Sequence, residues 1–184
     1  MGMLVLGGIA LLAILGITTY NGLLRRRNRV DQAYSTIDVQ LTQRYDLIPK
    51  LVETVKQYMG HERSLLEEIT RLRTRAMESR TPAAKMQADN ELTQALGRLN
   101  VTVENYPQLR ASENFVQLQR SLNEVEEQLA AARRAYNGAV LDYNNAVQTF
   151  PSSLMAGSMG FGIRQMFVAE EKKRADVDMR RLFA

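Results

Sequence analysis

One histidine, His61, stands among 184 residues, and there is no cysteine. Together these bound the metal chemistry open to the chain. Structural zinc is held by thiolates and imidazoles. A di-iron helical bundle needs a Glu-x-x-His pair on each of two helices. The residue three before His61 is Tyr58, so neither pattern fits, and His61 reads as a polar residue near a helix start. Glu124, Glu126 and Glu127 are the densest acidic group. They fall off the apolar stripe of their segment, which makes them a solvated face rather than a cation site. No nucleophile elbow, phosphate loop or EF-hand loop occurs. The residues therefore predict no catalytic group, no metal, no cofactor and no enzyme.

One polar constellation has a regular spacing. Tyr136-Asn137 and Tyr143-Asn144 repeat seven residues apart, within YNGAV and YNNAV. A buried tyrosine hydroxyl needs a partner, and an asparagine in a helix seam can fix register. The simpler reading has tyrosine filling the seam with asparagine at its flank. A sharper reading has a polar layer that meets Arg44 or Asp46 from an earlier helix.

The elements that carry these residues are helical. Phe115, Leu118, Leu122, Val125, Leu129, Ala132, Tyr136, Ala139, Tyr143, Ala146 and Phe150 alternate steps of three and four. That is the seam of left-handed helix packing, with Ser112 as a plausible N-cap and Pro151 as its stop. Val140 and Val147 widen the stripe, which predicts more than one packing partner. An earlier stripe runs through Tyr34, Ile37, Leu41, Tyr45, Ile48, Val52, Val55 and Met59. Pro49 lies inside it and predicts a kink near Tyr45; Gly60 ends it. From His61 a third region carries Leu65, Ile69, Leu72 and Ala76. Thr81-Pro82 interrupts it as an N-cap and first-turn proline would. Ala84, Ala88, Leu92, Ala95, Leu99, Val103 and Tyr106 resume the stripe before Pro107 turns the chain. One kinked helix and two helices both fit residues 61–106. No β-period segment is present, so the fold class is all-α, with short turns and antiparallel neighbours.

The first 24 residues are of another kind. Met3 to Tyr20 carries no charge, and the uncharged run continues to Leu24. About 20 apolar residues in a helix cross a hydrocarbon core roughly 30 Å thick. A signal peptide fits poorly, because no basic n-region precedes the run and no small-x-small site follows it. Gly7, Ala10, Ala13 and Gly16 recur every three residues, a spacing of small side chains that allows close helix approach. Arg25, Arg26, Arg27 and Arg29 follow at once. Such a cluster favours the cytoplasmic side, so the expected topology is N-terminus out with the remainder cytoplasmic. Its charge also draws it to anionic headgroups.

The net charge of +4 is unevenly placed. Residues 30–150 carry fourteen basic and sixteen acidic groups, and residues 151–184 six and four. The near-neutral middle argues against a nucleic-acid-binding face. This divides the chain into an anchor (1–24), a helical bundle (25–150) and an apolar C-terminal segment with a charged tail (151–184). In the last part Leu154, Met155, Met159, Phe161, Ile163, Met166 and Phe167 are too apolar for a free linker. They are candidates for contact with the membrane interface or with another subunit, the alternative being a fold back onto their own bundle.

RNRVDQAYSTIDVQLTQRYDLIPKLVETVKQYMGHE, from Arg27 to Glu62, resembles the signature of the LemA family of bacterial membrane proteins, and residues from Glu104 to Ser153 resemble its second block. The resemblance implies a single-pass protein of the bacterial inner membrane with an antiparallel helical bundle and no catalytic residues. The ending departs from the expected family pattern: Ala175-Asp176-Val177-Asp178 and Arg180-Arg181-Leu182-Phe183 stand there, and no function is carried onto them. The expected function is a scaffold whose partners are membrane lipid and further copies of itself. The alternative is a monomeric, membrane-tethered adaptor that docks a signalling or protease partner of unknown identity.

Overall fold

The longest uninterrupted element begins in the uncharged run and does not stop at the arginines. In the computed structural model, which describes residues 1–167, α1 spans Gly2–Lys56. It passes through Asn21-Gly22, which weaken a helix without breaking it, and it is continuous through Pro49. Four further helices and a final turn follow: α2 (Arg63–Glu78), α3 (Pro82–Val103), α4 (Pro107–Arg110), α5 (Glu113–Gln148) and α6 (Ser153–Ala156). No strand occurs among the described residues, so the all-α class holds. The segment 168–184, with the departing tail motif, lies outside the described residues.

The question left open over 61–106 resolves into two helices. Thr81 caps the second of them: its hydroxyl accepts from the Ala84 amide at 3.2 Å, with Pro82 at the first helical position, where its missing N–H costs nothing. Pro107 plays the same part for α4.

The described residues form two compact units: residues 1–44 with 121–166, and residues 45–120 with Phe167. In the first, α1 and α5 run antiparallel. Arg26 meets Asp142 at 3.2 Å, Tyr34 meets Tyr136 edge-on at 6.1 Å, and Arg44 meets Glu126 at 3.1 Å. Leu23, Val30, Ile37, Leu41, Leu129, Val140 and Tyr143 are buried in this unit. In the second, the Arg73 guanidinium donates to the Tyr45 carbonyl at 2.7 Å, and α2 lies antiparallel to α3 through Arg75–Glu91 and Glu68–Arg98. Its core holds Ile48, Leu51, Leu66, Ile69, Leu72, Leu92, Leu99, Leu109 and Phe115.

Two stripes shift by one residue from their expected course. Leu66 rather than Leu65, and Leu51 rather than Val52, are the buried members. A stripe of 3.6-residue period admits either neighbour, and tertiary packing chooses.

Candidate functional site

The α5 seam is a buried line for most of its expected length. Phe115, Val125, Leu129, Tyr136 and Tyr143 are buried, while Leu118 and Leu122 are half-covered. Phe150 departs from the expectation. α5 ends at Gln148, and Phe150 is 74% exposed beside a cis bond to Pro151. A residue before proline is pushed out of helical geometry, so the heptad count fails there although the residue type fits it.

The tyrosine-asparagine repeat also finds partners other than those expected. Arg44 is buried and pairs with Glu126, as a desolvated charge requires. The repeat instead grips the chain that follows α5. The Tyr143 hydroxyl donates to the Gly162 carbonyl at 2.9 Å, and the Tyr136 hydroxyl donates to the Gln165 carbonyl at 3.1 Å. Between them Asn144 makes two bonds to Arg164. Its Nδ2 donates to the carbonyl and its Oδ1 accepts from the amide, both at 2.8 Å. These four bonds hold residues 162–165 as an irregular strap against the helix pair. The Arg164 side chain then reaches Asp31 of α1 at 3.6 Å.

The strap settles where most of the tail candidates lie. Phe161 is buried and stacks edge-on against Tyr20 at 5.5 Å. The Met155 methyl lies 3.4 Å from where a Cβ on Gly16 would stand, so a larger residue at 16 would press on it. Met159 is half-covered and Phe167 is buried. Phe161 thus packs against its own chain, the fold-back alternative among the three readings, and Phe167 is buried as well. Leu154, Ile163 and Met166 remain exposed. Gly160, at φ 76°, provides the left-handed turn into the strap, a conformation that side chains resist.

Of the basic cluster, Arg25, Arg27 and Arg29 are exposed, and Arg26 is drawn to Asp142. His61 is exposed. Among the described residues no group of three metal-ligating side chains occurs. The second unit has a groove of about 510 Å³ lined by Val52, Lys56, Arg63, Leu66, Glu67, Thr70 and Arg71.

Burial raises the Tyr136 hydroxyl above its ordinary value of 10.0; Arg164 opposes the rise and Asp31 adds to it. Tyr34 is raised by burial, then by Asp38 and Tyr136. The folded state thus keeps phenolic protons that the unfolded chain has lost. This stability is complete below 10.0 and is lost as pH rises through the folded values. Thermal melts followed by circular dichroism should show a midpoint that falls under strong alkali, and Y136F should flatten that fall. An equal slope in the variant would show that Tyr136 is not responsible.

The LemA family model matches residues 33–180. Protein LemA of Metamycoplasma hominis is 26% identical over 159 residues, 86% of this chain and 73% of that protein. Magnetosome protein MamQ 2 of Paramagnetospirillum magneticum is 33% identical over 93 residues, half of this chain but 34% of the relative. Magnetosome protein MamQ of Magnetospirillum gryphiswaldense is 32% identical over 78 residues, 42% of this chain and 29% of the relative. The chain thus spans about a third of the length of these magnetosome proteins.

Proposed function

This chain belongs to the LemA family, and from that premise we propose that it is a membrane-anchored, non-enzymatic helical scaffold that self-assembles on the cytoplasmic face of the bacterial inner membrane. The anchor is the start of α1, where an apolar window of membrane-crossing hydropathy is 0% buried by the rest of the chain. A core helix would be covered by its own protein; this one offers its apolar side chains to lipid. The four arginines after it fit the cytoplasmic placement of the body.

The observation that carries the scaffold reading is the continuity of α1. No loop separates the apolar window from the residues that pair with α5. Every copy in one membrane therefore presents its α1/α5 pair in the same attitude, and anchoring raises the effective concentration of copies. Head-to-tail contacts between such copies close into rings when the rotation allows. A tethered adaptor has no need of that rigidity.

The test is the mass of the full-length protein in mild detergent, by light scattering coupled to size exclusion. A discrete mass of many subunits is expected, reduced by serine at the exposed Met166. A clean monomer overturns the reading. The groove between Val52 and Thr70 would then be the natural seat for a partner helix, and co-purification of one protein would identify an adaptor.

A further inference from the structure

Between Asp142 and Arg164 the chain carries no Asp, Glu, Lys, Arg or His. The two charges that bound this stretch are paired with the two α1 residues that bracket the start of its polar part. Asp142 meets Arg26 at 3.2 Å, and Arg164 meets Asp31 at 3.6 Å. Several residues between these two latches lie beside the apolar part of α1. Ala146, Pro151 and Ser152 share a small cleft with Thr18, Thr19, Gly22 and Leu23. Phe161 lies on Tyr20, and Met155 reaches the level of Gly16. Gly16 is eight positions before Leu24, the last uncharged residue of the run. At 1.5 Å per residue that is about 12 Å below the charged rim. A single leaflet contributes roughly 15 Å of hydrocarbon.

We propose that residues 149–163 form a re-entrant apolar hairpin that enters the leaflet beside α1 and takes lipid acyl chains as its partner. The inference rests on the anchoring of α1 and is independent of self-assembly. Three further features fit a lipid environment. First, its large outward side chains are apolar: Phe150 and Leu154 are each 74% exposed, and Ile163 is 66% exposed. In water they would form an unexplained patch at the end of a well-packed helix pair. Second, half of the hairpin's backbone amides, seven of fourteen, are satisfied from within, which lowers the cost of placing them in hydrocarbon. The amides of Ser153, Leu154, Met155, Ala156, Met159, Gly160 and Phe161 all donate to carbonyls of the same hairpin. Third, three of its four hydroxyls are satisfied locally. Thr149 donates to Asn145, Ser152 to Ala146 and Thr149, and Ser158 to Met155, each at a backbone carbonyl. Asn145 and Gln148 stand in the part nearest Asp142, toward the headgroups.

The chain contains no tryptophan, so a single introduced indole reports its own depth. Full-length L154W, F150W, L12W and V101W would be placed in phosphatidylcholine vesicles with bromine on the acyl chains, and separately exposed to acrylamide. All four sites are exposed, so the fold is retained. L12W marks the anchor and V101W marks the body. The expected result is that L154W and F150W follow L12W: blue-shifted emission, strong loss of intensity to bromolipid and little to acrylamide. If L154W and F150W follow V101W while L12W is quenched by bromolipid, the hairpin is in water and the proposal falls with the anchor intact. If they are blue-shifted and quenched by neither agent, another copy covers them and the proposal also falls. If L12W itself escapes bromolipid, the anchoring reading fails and takes the hairpin with it.

Discussion

Replacing Phe115 with alanine lowers the unfolding free energy by about 3–5 kcal/mol, whereas the same change at Phe150 shifts it by no more than about 0.5 kcal/mol. The two phenylalanines lie on one seam of alternating three- and four-residue steps, and helical periodicity treats them alike. Packing does not. Phe115 is 1% exposed in the second unit, at the start of α5. Truncation there leaves a void among aliphatic neighbours as well as losing transfer energy. Phe150 lies past the helix end with its ring outward, so truncation opens no cavity. Urea titration in detergent micelles, followed by helical circular dichroism, reads both as shifts in midpoint at constant slope. A large loss at Phe150 would show that its ring is covered in the micelle by protein, and a small one at Phe115 would contradict its burial.

Asn144→Ala should loosen the strap without unfolding the helices. It removes two hydrogen bonds to Arg164, both at 2.8 Å. At about 1 kcal/mol each, local opening becomes easier by roughly 2 kcal/mol, or about 30-fold in the opening equilibrium. Amide exchange at Arg164 should accelerate by that order, and trypsin should cleave after Arg164 at a dilution that spares the parent protein. Asn144→Asp keeps the acceptor for the Arg164 amide and loses the donor, so it should fall between the two. Unchanged protection in the alanine variant would mean that Phe161 on Tyr20 and the two tyrosine hydroxyls hold the strap without help.

The elements were legible because their signals are local. Thr81-Pro82 reads as a helix start from two residues, and the cap forms as read. The α1 and α5 stripes need only a period, and Ile37, Leu41, Leu129 and Tyr136 sit where that period places them. Legibility fails where the partner carries no side-chain signature. Tyr136, Tyr143 and Asn144 bond to backbone groups 19 to 29 residues on, in a segment with no period of its own. Their spacing marked them as a set, but nothing in a carbonyl announces itself in a sequence. Arg44 and Asp89 illustrate a second failure. Both are charged and both are buried, a choice that depends on which faces meet. Asp89 takes a hydrogen bond from the Tyr45 hydroxyl at 3.4 Å across two helices, and no pattern within either helix foretells it. Phe150 shows a third: two rules disagreed, and the steric demand of Pro151 outweighed the heptad.

On the proposed anchoring, α1 runs without a break from lipid to the last residue that α5 grips, and it behaves as a drive shaft. Each residue along a helix turns the next by about 100° and advances it 1.5 Å. The bearing of Arg44 and Glu126 about the membrane normal is therefore set by the count of residues since the bilayer, and so is their height above it. One residue added between Leu24 and Arg25 would swing that face by more than a quarter turn. Added residues in a flexible tether would do nothing comparable. On that reading the uncharged stretch of α1 works as a compass as well as an anchor, and neighbouring copies in one bilayer would share a common north.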